Sequence, residues 1–73
     1  MLKGSREALV RLIQPVSIHG QISLDVQYVR LEEPDGQMYI ARLGPEAVPK
    51  NLEAGDRVLV HFMLGVATAI TRT

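Results

Sequence analysis

The chain has 73 residues, no cysteine, and eight lysines and arginines against eight aspartates and glutamates. That length allows one small domain of marginal stability, since so short a chain buries only about 60% of the surface its unfolded form exposes. Disulfides are excluded, His19 and His61 stand apart with no cysteine to complete a zinc spacing, and a neutral chain has no long-range field to draw in a polyanion.

The first seven residues, Met1 to Glu7, lack the apolar run of a signal peptide, and no stretch approaches the ~18 apolar residues of a membrane span. They are expected to be a flexible arm of a single cytoplasmic domain covering residues 1–73. Charge is uneven along the chain. Residues 1–24 hold Lys3, Arg6 and Arg11 against Glu7, whereas residues 25–35 hold Asp25, Glu32, Glu33 and Asp35 against Arg30.

From Ala8 to Ile18 the even positions Ala8, Val10, Leu12, Val16 and Ile18 are apolar, broken only by Gln14, which is the period of a strand with one buried face. Pro15 cannot donate to a ladder, so the strand is expected to be at an edge, or bent, there. His19-Gly20-Gln21 predicts a three-residue turn that pairs Ile18 with Ile22. The second strand alternates Ile22, Leu24, Val26 and Tyr28 against polar neighbours, then Val29 and Leu31 change parity, which predicts a bulge near Tyr28-Val29. Glu33-Pro34-Asp35-Gly36 predicts a bulged three-residue hairpin loop with Gly36 at positive φ, leading into a third strand, Gln37 to Leu43.

Pro45 and Pro49 limit the next segment to about one helical turn. A fourth strand follows, Arg57 to Met63, with Val58, Val60 and Phe62 inward, then a turn at Leu64-Gly65. The last strand, Val66 to Thr71, is expected to turn Val66, Thr68 and Ile70 inward. The fold class is therefore all-β: a small five-stranded, partly open barrel of the OB type, with at most one short helical turn between strands 3 and 4.

The stretch Asp35-Gly36-Gln37-Met38-Tyr39-Ile40-Ala41-Arg42-Leu43, followed by Leu52-Glu53-Ala54-Gly55-Asp56-Arg57-Val58-Leu59-Val60, resembles the second half of several small OB-type barrels. TOBE domains appended to transport ATPases, bacterial translation initiation factor one and hydrogenase-maturation chaperones share its Gly-Asp-x-Val-x-Val entry to a late strand. The resemblance covers about half of the chain. It implies the barrel and carries no site residue across, because Gly-Asp-x-Val reports turn chemistry: a Gly for positive φ and an Asp that caps its own backbone.

No catalytic constellation stands out. His19 has Ser17, Ser23 and Asp25 nearby in sequence, but a two-stranded ribbon offers neither a pocket nor oxyanion donors, so no enzyme, metal or cofactor is expected. The favoured function is a binding or adaptor barrel. It self-associates or docks on a partner protein through an outward apolar stripe of Leu9, Ile13, Leu59 and Met63, with Ala67 and Ala69 beside it, since so small a fold gains from extra burial. The alternative is an OB-type module for single-stranded RNA or DNA, with Tyr39 stacking on a base, Arg30 and Arg42 flanking it, and help from Lys3, Arg6 and Arg11. Charge geometry allows it two or three phosphate contacts at most, which predicts no appreciable binding at physiological salt. A small-anion site at a subunit junction, which the transporter resemblance suggests, has no residue to carry it.

Overall fold

A computed structural model describes residues 3–73. Five antiparallel strands, β1 (Lys3–Ile18), β2 (Gln21–Arg30), β3 (Tyr39–Leu43), β4 (Arg57–Met63) and β5 (Val66–Arg72), form one sheet in the order β3-β2-β1-β4-β5. The sheet is not closed, but it curls until its edge strands β3 and β5 approach each other. One 3-10 turn, Pro45–Ala47, separates β3 from β4 and lies against β2 and β5. Pro45 opens that turn because its fixed φ suits a first helical position, and Val48 just beyond it enters the core. No helix among the described residues is long and apolar enough to cross a membrane.

β1 organises the barrel. Its 16 residues would span about 50 Å if straight, yet no principal dimension of the molecule exceeds 36 Å. The strand bends at a bulge between Val10 and Leu12, where Arg11 is the extra residue. The sequence placed this bulge near Tyr28-Val29; it lies across the ladder from Tyr28, on the other strand. Arg11 can leave the ladder because its guanidinium finds a partner at the Pro34 carbonyl, 3.0 Å away. The bulge exchanges parity along β1. Ala8 and Val10 face the core before it, Ile13 packs against the core after it, and Leu12 is left 46% exposed.

Residues 3–7 are not a loose arm. They pair with β4 from Lys3↔Met63 to Glu7↔Leu59 and cover an edge that β4 would otherwise leave open. Met1 and Leu2 lie outside the described residues. Beyond Val10, by contrast, β1 pairs with β2 alone, and Pro15 stands on that free edge as its missing N–H requires.

The β1–β2 turn has two residues, not three. Ile18 pairs with Gln21, and His19 and Gly20 sit at φ 50° and 77°, the double positive φ of a type I′ hairpin whose twist matches its strands. Between β2 and β3 the chain makes two successive turns, closed by Glu33 N–H to the Arg30 carbonyl at 3.0 Å and Gly36 N–H to the Glu33 carbonyl at 2.9 Å. β3 therefore begins at Tyr39 instead of Gln37. Gly36 is not at positive φ. It occupies the last position of the second turn, where a Cβ would meet Glu33 Cβ and the Glu33 carbonyl at 3.1 Å, so close approach accounts for the glycine.

The core is mostly aliphatic, with Tyr28 as its one buried ring among the described residues. Val10, Val26, Val58 and Val60 are fully buried, with Ala8, Ala41, Leu43, Val48 and Ile70 around them. At the entry to β4, Gly55 takes φ 94° and the Asp56 carboxylate accepts from Glu53 N–H at 2.9 Å, the turn chemistry expected of a Gly-Asp pair. A second bulge, at Thr68 opposite His61 and Phe62, reverses the parity of β5. Ala67 thus packs inward beside Phe62, while Thr68 and Val66, expected to face the core, are exposed.

Candidate functional site

The inward rows of two neighbouring strands end in cations at the same mouth of the barrel. On β2 the even positions run Leu24, Val26, Tyr28 and then Arg30; on β1 the residues Val10 and Ala8 are preceded in the same parity by Arg6, which pairs with Val60. An inward-facing arginine is uncommon in a small core because its charge must keep contact with water. Here it does so by opening onto a groove. The groove encloses about 800 Å3 and is lined by Arg6, Tyr28, Arg30, Glu32, Tyr39 and Phe62.

Its centre is a run of flat groups. Tyr28 and Tyr39 face each other across the β2–β3 ladder and stack, with ring centroids 5.6 Å apart and planes 21° from parallel. The Arg30 guanidinium lies over the Tyr39 ring, 5.0 Å from its centroid, a distance at which the ring quadrupole attracts the cation. Tyr28 is buried and forms the floor, whereas Tyr39 is half-buried and meets solvent. Burial pushes the Tyr28 hydroxyl pKa above its ordinary value, the adjacent Tyr39 adds to this, and Arg30 opposes it. The hydroxyl therefore stays protonated and can donate.

Gly4, Ser5, Gly65 and Ala67 make the opposite wall, and their small side chains leave the groove wide there. At the rim the Glu32 carboxylate stands 3.7 Å from the Arg6 guanidinium, both side chains more than half exposed. Among the described residues, two guanidiniums against one carboxylate leave the groove one net positive charge.

Of the residues expected to form a nucleic-acid surface, Arg30 and Tyr39 meet here. Arg42 does not. It lies on the opposite parity of β3, where Nε and Nη2 donate to the two Asp25 carboxylate oxygens at 2.7 and 2.9 Å. That bidentate pair holds the Asp25 carboxyl below its usual range and raises the Arg42 pKa further.

The expected interface stripe is not assembled. Ile13 is turned into the core by the Arg11 bulge. On the outer face Leu9 lies between Val29 and Arg57, Leu59 between Glu7 and Thr71, and Met63 beside Val66 at the far end. Leu9 and Leu59 are only half-exposed, and Ala67 faces inward. The most exposed apolar side chains instead sit on the β4–β5 hairpin, with Leu64 at 68% and Val66 at 64%.

His19 is exposed in its turn. Asp25 is committed to Arg42, and Ser17 faces away from Ser23 and Asp25, so no triad forms. His61 lies on the outer parity with Nε2 2.7 Å from Thr71 Oγ1. Among the described residues no three His, Asp or Glu side chains gather as a metal site would need.

The sequence put Arg6 in a flexible arm with an auxiliary role beside nucleic acid, and Glu32 in an acidic hairpin at the rim of the Tyr39 face, without bringing the two together. The signal for Arg6 was its parity, shared with Ala8 and Val10. Comparison of the chain with protein-family models, curated proteins and solved structures gives no match.

Proposed function

We propose that this chain is a non-enzymatic binding module of the OB type, whose groove takes a short segment of single-stranded nucleic acid. The strand order, the 3-10 turn between β3 and β4 and the approach of β3 to β5 support the OB assignment, and folds of that type bind strands across their second and third strands. The observation that carries the function is the Tyr28–Tyr39–Arg30 run opening onto the groove. A base stacks on the guanidinium plane that caps the two rings, or on Tyr39 once Arg30 swings out to the phosphate, and either contact tolerates any base because every base has a π-face.

The geometry also limits the affinity. Among the described residues only Arg6 and Arg30 point into the groove, and two neutralised phosphates give log affinity a slope of about −1.4 against log salt. Fluorescence anisotropy with a labelled dodecathymidylate tests this. The expected result is weak binding at low salt that fades by physiological salt and is lost on Tyr39→Ala and on Arg30→Gln. Binding indifferent to Tyr39, or no binding at low salt, overturns the proposal.

One observation favours an adaptor role instead, the exposed Met63, Leu64 and Val66 on the β4–β5 hairpin. Sedimentation equilibrium separates the two. Self-association that deepens with concentration and disappears on Leu64→Asn supports the adaptor.

A further inference from the structure

Among the described residues Glu32 is the one carboxylate that lines the groove, and it is placed there from two sides. It follows Arg30 by two residues at the end of β2, within the turn that Glu33 N–H closes on the Arg30 carbonyl at 3.0 Å. Its side chain reaches back over the mouth to Arg6, which β1–β4 pairing places on the opposite wall. A carboxylate oxygen 3.7 Å from a guanidinium is an ion pair without a hydrogen bond by the usual geometric limit. With both side chains more than half in solvent, such a pair contributes little to stability.

We propose that Glu32 holds, in the free protein, the place on Arg6 that a ligand phosphate takes, and so acts as a built-in competitor that limits the groove to one phosphate contact. The inference rests on the groove being the nucleic-acid site. Its chemistry is that of exchange: a strand whose base reaches Tyr39 meets Arg30 directly, but its next phosphate reaches Arg6 only by displacing Glu32. Displacement leaves that carboxylate unpaired beside the incoming phosphate, and like charges there disfavour a second contact. Glu33, one residue on, does not line the groove, and serves as the control for a general charge effect.

The test is anisotropy of labelled dodecathymidylate with the full chain at several salt concentrations. Wild type is expected to show a log–log slope of about −0.7, one contact. Glu32→Gln is expected to steepen it to about −1.4, two contacts, and to raise low-salt affinity by about two- to fivefold, the range of an exposed ion pair. Arg6→Gln in the Glu32→Gln background removes the gain, and Glu33→Gln leaves the slope at its wild-type value. Tyr39-dependent binding whose slope Glu32→Gln does not change, or changes no more than Glu33→Gln does, overturns the inference while leaving the site intact. Binding that ignores Tyr39 overturns both.

Discussion

The two faces of the β2–β3 ribbon handle the same residue type in opposite ways. On the outer face Arg42 is held by Asp25 through two short hydrogen bonds, and its donors are occupied. On the inner face Arg30 rests on an aromatic ring, and among the described residues it has no ion pair with a carboxylate. The contrast teaches that a cation is available for a ligand when its partner is a π-face, since a ring fixes the guanidinium without satisfying its N–H groups. A carboxylate does both. Arginine count is therefore a poor measure of binding capacity in a sheet, and parity against the nearest acid is the better one.

The sharpest way to break this comparison is to remove the inner floor. Tyr28→Ala deletes a buried ring under Tyr39 and is expected to destabilise the fold by about 3 kcal/mol or more, measured as a lowered midpoint in urea. Tyr39→Ala, at the solvent end of the same stack, should cost far less stability while abolishing oligonucleotide binding. If the two variants lost stability equally, the floor and the platform would not be distinct.

A smaller effect tests where the inner face begins after the Arg11 bulge. Ile13→Ala is expected to cost about 1–2 kcal/mol, below the range of about 2–5 for a fully buried Ile because Ile13 is only partly covered, whereas its neighbour Leu12→Ala should stay within about 0.5 kcal/mol. Urea denaturation of the pair decides it. Equal losses would place the bulge elsewhere.

The smallest effect belongs to the outer pair. The Arg42 guanidinium depresses the Asp25 pKa below its ordinary 3.8, and the Glu53 N–H, with Arg72, does the same for Asp56. A carboxyl whose folded pKa is lowered contributes stability above its unfolded pKa and loses it as pH falls through the folded value. Stability should accordingly be flat from neutral pH down to the unfolded value near 4 and decline below it. In Asp25→Asn and in Asp56→Asn the decline should be shallower, as thermal melts at stepped pH would record. Arg42→Gln should leave oligonucleotide affinity unchanged.

Much of this arrangement was legible in the residue pattern, and what was not has a common cause. The five strands and the single helical turn follow from alternation and from Pro45 and Pro49, whereas the strand order comes from matching that succession of elements to an OB-type barrel. The position of Arg42 was also readable: Tyr39, Ala41 and Leu43 share one parity and Ile40 and Arg42 the other, but Met38 and Ile40 are apolar too and obscure it. Bulges left no such trace. Leu12 and Ile13 are both apolar, so either satisfies an inward position, and the choice is made by whether Arg11 or a neighbour can step out of the ladder. At Thr68 the same ambiguity arose between Ala67 and Val66. The groove escaped notice because it depends on both strands at once, on Arg6 being paired to β4 and on Glu32 folding back from a loop that the sequence read as a tighter hairpin.

β1 is the longest strand among the described residues, and its second half has a partner on one side only. In a crowded solution a free strand edge is a template on which a second chain can crystallise its own backbone, and repetition of that event ends in fibres. Pro15, mid-way along the open stretch, interrupts the template by one donor, and the adjoining type I′ turn twists the ribbon away from flatness. A residue that weakens the strand thus also makes its open edge a poorer surface for a second strand to join.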